Sequence, residues 1–247
     1  MQTKLIRRMK RAVQRFRHSV FGMENRYKAL STPEIFDRIY TEGAWGHDDH
    51  GRPTSGAGSH NEEIVQAYFS AVSALLTQHA HNTVVDIGCG DFEVGCRFLP
   101  FARRYIACDV SEVILQQNRS KFSASNLEFQ RLNLATDDLP SGDVALVRQV
   151  LQHLSNREIQ AFVNRLHQAR PYRYLVVTEH LPADRDHIPN LDKRSGPRIR
   201  LSIDSGVTLD APPFCLAFVT KEVLLEVPFD IEDRSAIIRT TAYQLHH

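Results

Sequence analysis

The chain has 247 residues, which suits one large domain or one domain with an appendage and is too short for several independent enzymes. With 42% hydrophobic and 24% charged residues, its usage is that of an ordinary globular protein, which excludes a disordered or low-complexity chain. The net charge of +1 conceals an asymmetry: residues 1–28 hold nine Lys and Arg against one Glu, so everything after them is acidic, and a partner made of nucleic acid is not expected.

The first segment reads as a helix over residues 1–30, with Leu5, Met9, Val13, Phe16 and Val20 on one face and basic residues around the rest. Such a helix can lie on an anionic bilayer or an acidic partner protein, or pack on its own domain, and amphipathicity does not separate these. It has no continuous apolar stretch or small-residue cleavage site, and no segment approaches the roughly 18 apolar residues of a membrane span. The four cysteines, Cys89, Cys96, Cys108 and Cys215, form no C-x-x-C pair. The expectation is therefore reduced, core-filling thiols in a cytoplasmic protein, peripheral at the inner membrane face if the first helix binds lipid, with no metal site.

A helical cap or lid segment follows over residues 31–80. Thr32 reads as a helix cap with Pro33 at the first helical position, and the helix runs toward Tyr40. A polar, glycine-rich stretch from Gly43 to Ser59 leads to a second helix from about Asn61 to Gln78. From Thr83 strands and helices alternate. Val84–Ile87, Tyr105–Asp109, Leu127–Leu132, Val144–Arg148 and Tyr174–Glu179 read as strands. Glu93–Leu99, Glu112–Lys121 (capped by Ser111), Asn156–Ala169 and Thr220–Val227 read as helices. Phe229–Asp233 and Ile237–Leu245 read as a closing antiparallel pair. The pattern predicts an α/β fold over residues 81–247: a doubly wound, mostly parallel sheet covered on both faces, with an insertion at 181–218.

The chemistry-bearing motif is the turn after the first strand, Asp86-Ile87-Gly88-Cys89-Gly90-Asp91-Phe92. Glycines there let the backbone approach a nucleoside, and Asp109, at the end of the second strand, can accept both hydroxyl hydrogens of a ribose. Two nucleoside ligands compete. A dinucleotide wants G-x-G-x-x-G and positive potential for its pyrophosphate, whereas this chain has Glu93 at the third glycine and two carboxylates, Asp91 and Glu93, beside the turn. A phosphate-free ligand with a cationic amino-acid end fits better, and S-adenosylmethionine has that description.

On these residues the chain resembles the class I S-adenosylmethionine-dependent methyltransferases: VVDIGCGDFEVG, the acid of YIACDVS, and LEFQRLNLATDDLPSGDVALVRQVLQHLSN stand in the family's order from about Thr83 to Glu179. The flanking WG…SGAGS and TEHLP…RSGPRIRL segments resemble a bacterial subset found with polysaccharide and small-molecule pathways. The resemblance implies a seven-stranded Rossmann-like methyltransferase fold with a helical N-terminal extension. It also implies that Asp86, Gly88 and Gly90 line the methionyl and ribose end and that Asp109 holds the ribose. Val110, Asn133 and Leu134 would meet the adenine, and Arg148 and Gln149 the methionyl tail. Phe92 departs from the pattern, standing where many relatives have a third glycine.

If the acceptor is a sugar hydroxyl, its high pKa calls for a base, and His153, Glu179 and His180 are the candidates. Each is equally a packing or loop residue by sequence alone. The insertion brings Lys193, Arg198 and Arg200, which suit an anionic small-molecule or glycan acceptor such as a phosphosugar, or else form a solvated loop. The Gly/Ser segment, with Trp45 and Ser59, is expected to close over the cofactor as a lid. The leading expectation is an O-methyltransferase of polysaccharide assembly. Its competitors are an RNA or other small-molecule methyltransferase and a non-catalytic cofactor-binding subunit.

Overall fold

The computed structural model describes residues 26–79, 83–229, 231 and 234–245, so nearly all of the basic helix expected at 1–30 lies outside the described residues. Seven strands, β1 (Thr83–Ile87), β2 (Arg104–Asp109), β3 (Leu127–Arg131), β4 (Val144–Arg148), β5 (Tyr174–Pro182), β6 (Thr220–Pro228) and β7 (Ala236–Gln244), form one sheet. Their order is β3-β2-β1-β4-β5-β7-β6. The first five are mutually parallel, and β7 runs antiparallel to β5 and to β6.

The strand sequences explain this burial. In β1, β4 and β5 nearly every residue is buried and most are apolar, as expected of parallel strands covered on both faces, and successive side chains enter opposite cores. Val85, Ala145 and Leu175 pack with helices α1 (Thr32–Thr41) and α4 (Asn156–Ala169), through Ile35, Ile39, Ile159 and Phe162. Val84, Val144 and Val176 pack with α2 (Glu62–His79), through Val65, Tyr68 and Val72. Helix α3 (Glu112–Lys121) follows β2 and is capped by Ser111, whose hydroxyl accepts from the Ile114 N–H. Helix α4 opens on a capping box in which the Ser155 N–H donates to Glu158 at 3.0 Å.

The structure corrects several local expectations. Helix α1 is capped by Ser31, not Thr32, because Glu34 stands where it accepts the Ser31 N–H and hydroxyl at 2.7 and 2.6 Å. The Glu93–Leu99 helix is a 3-10 turn at Gly95–Phe101, interrupted by Pro100. The expected helix at 220–227 is strand β6, which pairs with β7 in place of the expected partner at 229–233. A register shift between Val223 and Leu225 breaks its period-two alternation, leaving a spacing that mimics a helix. Strand β5 extends to Pro182, so Glu179 and His180 lie within it, opposite Arg239 and Ile238.

Phe92, the departure from the glycine pattern, keeps the left-handed backbone that favours glycine (φ 61°) and is fully buried. Its ring meets Tyr105, Phe122 and Phe129 edge-on, with centroids 5.6, 5.2 and 5.1 Å away. Aromatic packing thus holds a turn that glycine would otherwise enter freely. Phe92→Ala is expected to lower unfolding stability by about 3–5 kcal/mol, read from urea denaturation; a loss under about 1 kcal/mol would show that the ring does not anchor the turn.

Candidate functional site

The reversal of strand order between β1 and β4 opens a crevice at their carboxyl ends, where ligands of such sheets bind. The glycine turn enters it. Gly88 and Cys89 both donate their N–H groups to the Cys108 carbonyl at 2.8 Å, which ties the turn to β2. Gly88 (φ 78°) and Gly90 (φ 57°) are left-handed, and a Cβ on either would come within 2.3 Å of Val150 Cγ2 or 2.2 Å of Ser55 Oγ. Both glycines are therefore required by conformation and by space.

Asp109 closes the turn: Oδ2 accepts the Gly90 N–H at 3.0 Å and Oδ1 the Ser111 N–H at 2.9 Å. Burial pushes its carboxyl up to about 6. Asp86, also buried, accepts the Tyr105 hydroxyl at 3.0 Å, and burial raises it to about 7. Arg148 stands on the opposite wall, with its guanidinium 5.1 Å from the Tyr68 ring centroid. It donates to the Gly58 carbonyl at 2.7 Å and to Ser59 Oγ at 3.3 Å, while its Nε has no partner.

The Gly/Ser segment is hydrogen-bonded to the turn. Asp91 Oδ2 accepts from the Ser55 N–H at 2.7 Å and lies 2.9 Å from His60 Nε2, and the Asp91 N–H donates to Ser55 Oγ at 2.7 Å. With Arg148 on Gly58 and Ser59, the segment is pinned at both walls. Trp45 donates Nε1–H to the Pro197 carbonyl at 3.3 Å and packs on His153, with centroids 4.9 Å apart.

A cavity of ≈ 470 Å³ results, and its lining includes Asp86, Gly88, Gly90 and Asp109 together with Val110, Asn133 and Leu134. Asn133 makes a local turn: its N–H donates to Asp137 at 2.8 Å and its side-chain oxygen accepts the Ala135 N–H at 3.1 Å. Gln149 also lines the cavity, in a left-handed conformation (φ 57°), and its buried amide nitrogen has no partner.

His153, His180, Arg198 and Arg234 also line the cavity. Burial depresses both histidines, His153 to about 3 and His180 to about 4, so both are neutral near pH 7. Glu179 does not reach the cavity lining. Its carboxylate accepts the Leu151 and Gln152 N–H groups at 2.9 and 3.0 Å, and burial raises it to about 8.

The three basic residues of the insertion separate. Arg198 lines both this cavity and a neighbouring one, whereas Lys193 lines only the neighbouring one and donates Nζ to the His153 carbonyl at 3.2 Å. Arg200 is not the exposed clamp expected of it: it is fully buried and donates to the Leu191 carbonyl and, at 2.7 Å, to that of Leu154. It ties the insertion to the turn after β4. Sequence reading gave no role to His60, Tyr68, Gln152 or Arg234, although His60 and Gln152 adjoin Ser59 and His153, and it placed Ser55 in the Gly/Ser segment without singling it out. Among the described residues no three His, Cys, Asp or Glu side chains gather as a metal site, and no helix is long and apolar enough to cross a membrane.

Residues 85–169 match the family model described as a methyltransferase domain. No curated protein matches the chain by sequence. Several solved structures are similar. The N-methyltransferase NodS from Bradyrhizobium japonicum WM9, in complex with S-adenosyl-L-homocysteine, matches with TM-score 0.57 at 13% identity over 84% of this chain and 99% of that one. The DhpI–SAH complex gives 0.54 at 12% identity, over 88% and 100%. The N-terminal domain of EvdMO1 with SAH bound gives 0.53 at 14%, over 85% and 96%. These likenesses establish the Rossmann-like methyltransferase fold.

The raised Asp86 has a cost in stability that titration exposes. Its folded value of about 7 lies above the 3.8 of an ordinary aspartate, so the folded chain increasingly resists its ionisation from about pH 4 up to pH 7 and no further above that. Asp86→Asn, which keeps an acceptor for Tyr105, is expected to raise the melting temperature, with the gain largest above pH 7 and shrinking toward pH 4. A gain that does not change with pH would remove Asp86 as the source.

Proposed function

We infer that the chain is an S-adenosylmethionine-dependent methyltransferase that O-methylates a small anionic acceptor, a sugar, phosphosugar or phosphate-bearing glycan end of polysaccharide assembly. The observation that carries this reading is the pairing of buried acids Asp86 and Asp109 with Arg148 around a glycine turn, in a methyltransferase domain. Each Asp109 oxygen keeps a lone pair beyond its backbone bond, enough for two ribose hydroxyls. Asp86 and Arg148 together suit the ammonium and carboxylate of an amino-acid tail. Val110, Asn133 and Leu134 would flank the adenine, and the cavity volume lies in the range of small-molecule sites. Bound there, the cofactor supplies a methyl group made electrophilic by its sulfonium.

What the chain itself contributes is alignment and exclusion of water. The pinned segment at Ser55–Ser59 covers the turn, and Trp45 closes the wall beside His153. An anionic group on the acceptor would meet Arg198 and Arg234. A sugar acceptor is also in keeping with the EvdMO1 domain crystallised in the presence of SAH and D-fucose, at TM-score 0.52 and 15% identity.

Calorimetric titration with S-adenosylmethionine and S-adenosylhomocysteine tests the reading: both bind, and Asp109→Ala weakens them by about 10- to 100-fold, as expected for lost hydrogen bonds to a charged group. Indifference of the chain to both ligands would end the proposal. The affinity for S-adenosylmethionine is expected to fall as pH drops through 7 and 6, because Asp86 and Asp109 then lose their charge. A rise over that interval would contradict the assigned ionic contacts.

A further inference from the structure

We propose that His180 accepts the proton of the methyl-accepting hydroxyl and that Gln152 is the positioning residue that decides which ring nitrogen is free to do so. The proposal rests on the methyltransferase reading and resolves three residues that the sequence leaves equivalent.

His180 Nδ1 lies 2.7 Å from Gln152 Oε1. An amide oxygen only accepts, so Nδ1 carries the ring proton and Nε2 the lone pair. The Gln152 orientation is fixed from both ends: the His180 N–H also points at Oε1, at 3.4 Å, and the Gln152 amide nitrogen faces the Gln149 carbonyl at 3.4 Å. His180 Nε2 is buried and has no partner, in a side chain that lines the cavity and is 5% exposed. A buried acceptor left unpaired is unfavourable, and a hydroxyl brought by the acceptor molecule satisfies it.

The other two residues are occupied. His153 Nδ1 faces the Gly196 carbonyl at 3.2 Å, its Nε2 faces the Gln152 amide nitrogen at 3.5 Å, and its ring is wedged against Trp45. Glu179 spends both oxygens on the N–H groups of Leu151 and Gln152. It holds the turn that presents Gln152, and Gln152 in turn holds His180.

In the step itself, the acceptor oxygen bonds to the methyl carbon while the carbon–sulfur bond breaks and leaves its electron pair on sulfur. The hydroxyl proton passes to His180 Nε2, and the resulting imidazolium keeps its Nδ1–H on Gln152. Arg148 is the charged neighbour that, with burial, keeps the resting ring neutral.

Long-range ¹H–¹⁵N spectra of the full chain labelled at histidine test the arrangement without cofactor or acceptor, with His180→Gln assigning the signal. His180 is expected as the Nδ1–H tautomer in the wild type and in Gln152→Glu, which keeps an accepting oxygen, and as a mixture in Gln152→Leu. A wild-type ring protonated on Nε2 overturns the proposal, as does a Gln152→Leu spectrum identical to wild type. In methyl transfer to sugars and sugar phosphates, His180→Gln is expected to be slower by about 10²–10⁴-fold with unchanged S-adenosylhomocysteine affinity, and equal rates overturn it. Because the tautomer is read in the free protein, a chain that binds neither cofactor form fails the functional reading separately.

Discussion

One carboxylate organises the crevice. Asp109 ends β2 and uses its two oxygens on two backbone N–H groups, one in the glycine turn after β1 and one at the start of α3. Strand, turn and helix therefore meet at a single buried acid, and the path of residues 88–111 follows from it. Removing water from that carboxylate is unfavourable unless donors replace the water, and the backbone supplies them in fixed positions. The same bonds that shape the loop leave lone pairs facing the cavity.

The far side of the crevice repeats the device with different partners. Glu179 holds the turn after β4 by two backbone N–H groups, and Arg200 holds the insertion by two backbone carbonyls. The two groups lie inside the fold near one another, and the Arg200 guanidinium offsets part of the burial that raises the Glu179 carboxyl. Two buried groups outside the cavity lining, Glu179 and Arg200, thus hold the backbone of the lining residues Gln152 and Leu154. Stability is given up at Asp86 in return for a charge in the site.

What the sequence revealed tracks how local each cause is. Parallel strands buried on both faces read as mainly apolar runs, and helices opened by Ser111 and Ser155 carry their caps in the sequence, so β1, β2, β4, α3 and α4 were legible almost to the residue and β5 as far as Glu179. The glycine turn and Asp109 were legible because their spacing is the constraint. The edge strand β6 was not, since it is solvated on one side and its pattern is broken by the register shift. Nor was the engagement of Asp91 by Ser55 and His60, which joins residues more than thirty positions apart. Arg200 shows the limit most plainly: an arginine in a charged loop looks the same whether it clamps a ligand or props a core.

The shifted register of β6 has a consequence beyond its own pairing. This strand forms the outer margin of the sheet, where unpaired backbone groups invite a foreign strand to dock. Here the row of donors and acceptors is interrupted at Val223 and Leu225 and ends at Pro228, which lacks a donor. Lys221 and Glu226, held to Asp210 and Arg239 by ion pairs of 2.7 and 2.6 Å, add charge along the same margin. Along this margin a neighbouring molecule at high concentration finds no uninterrupted ladder to extend.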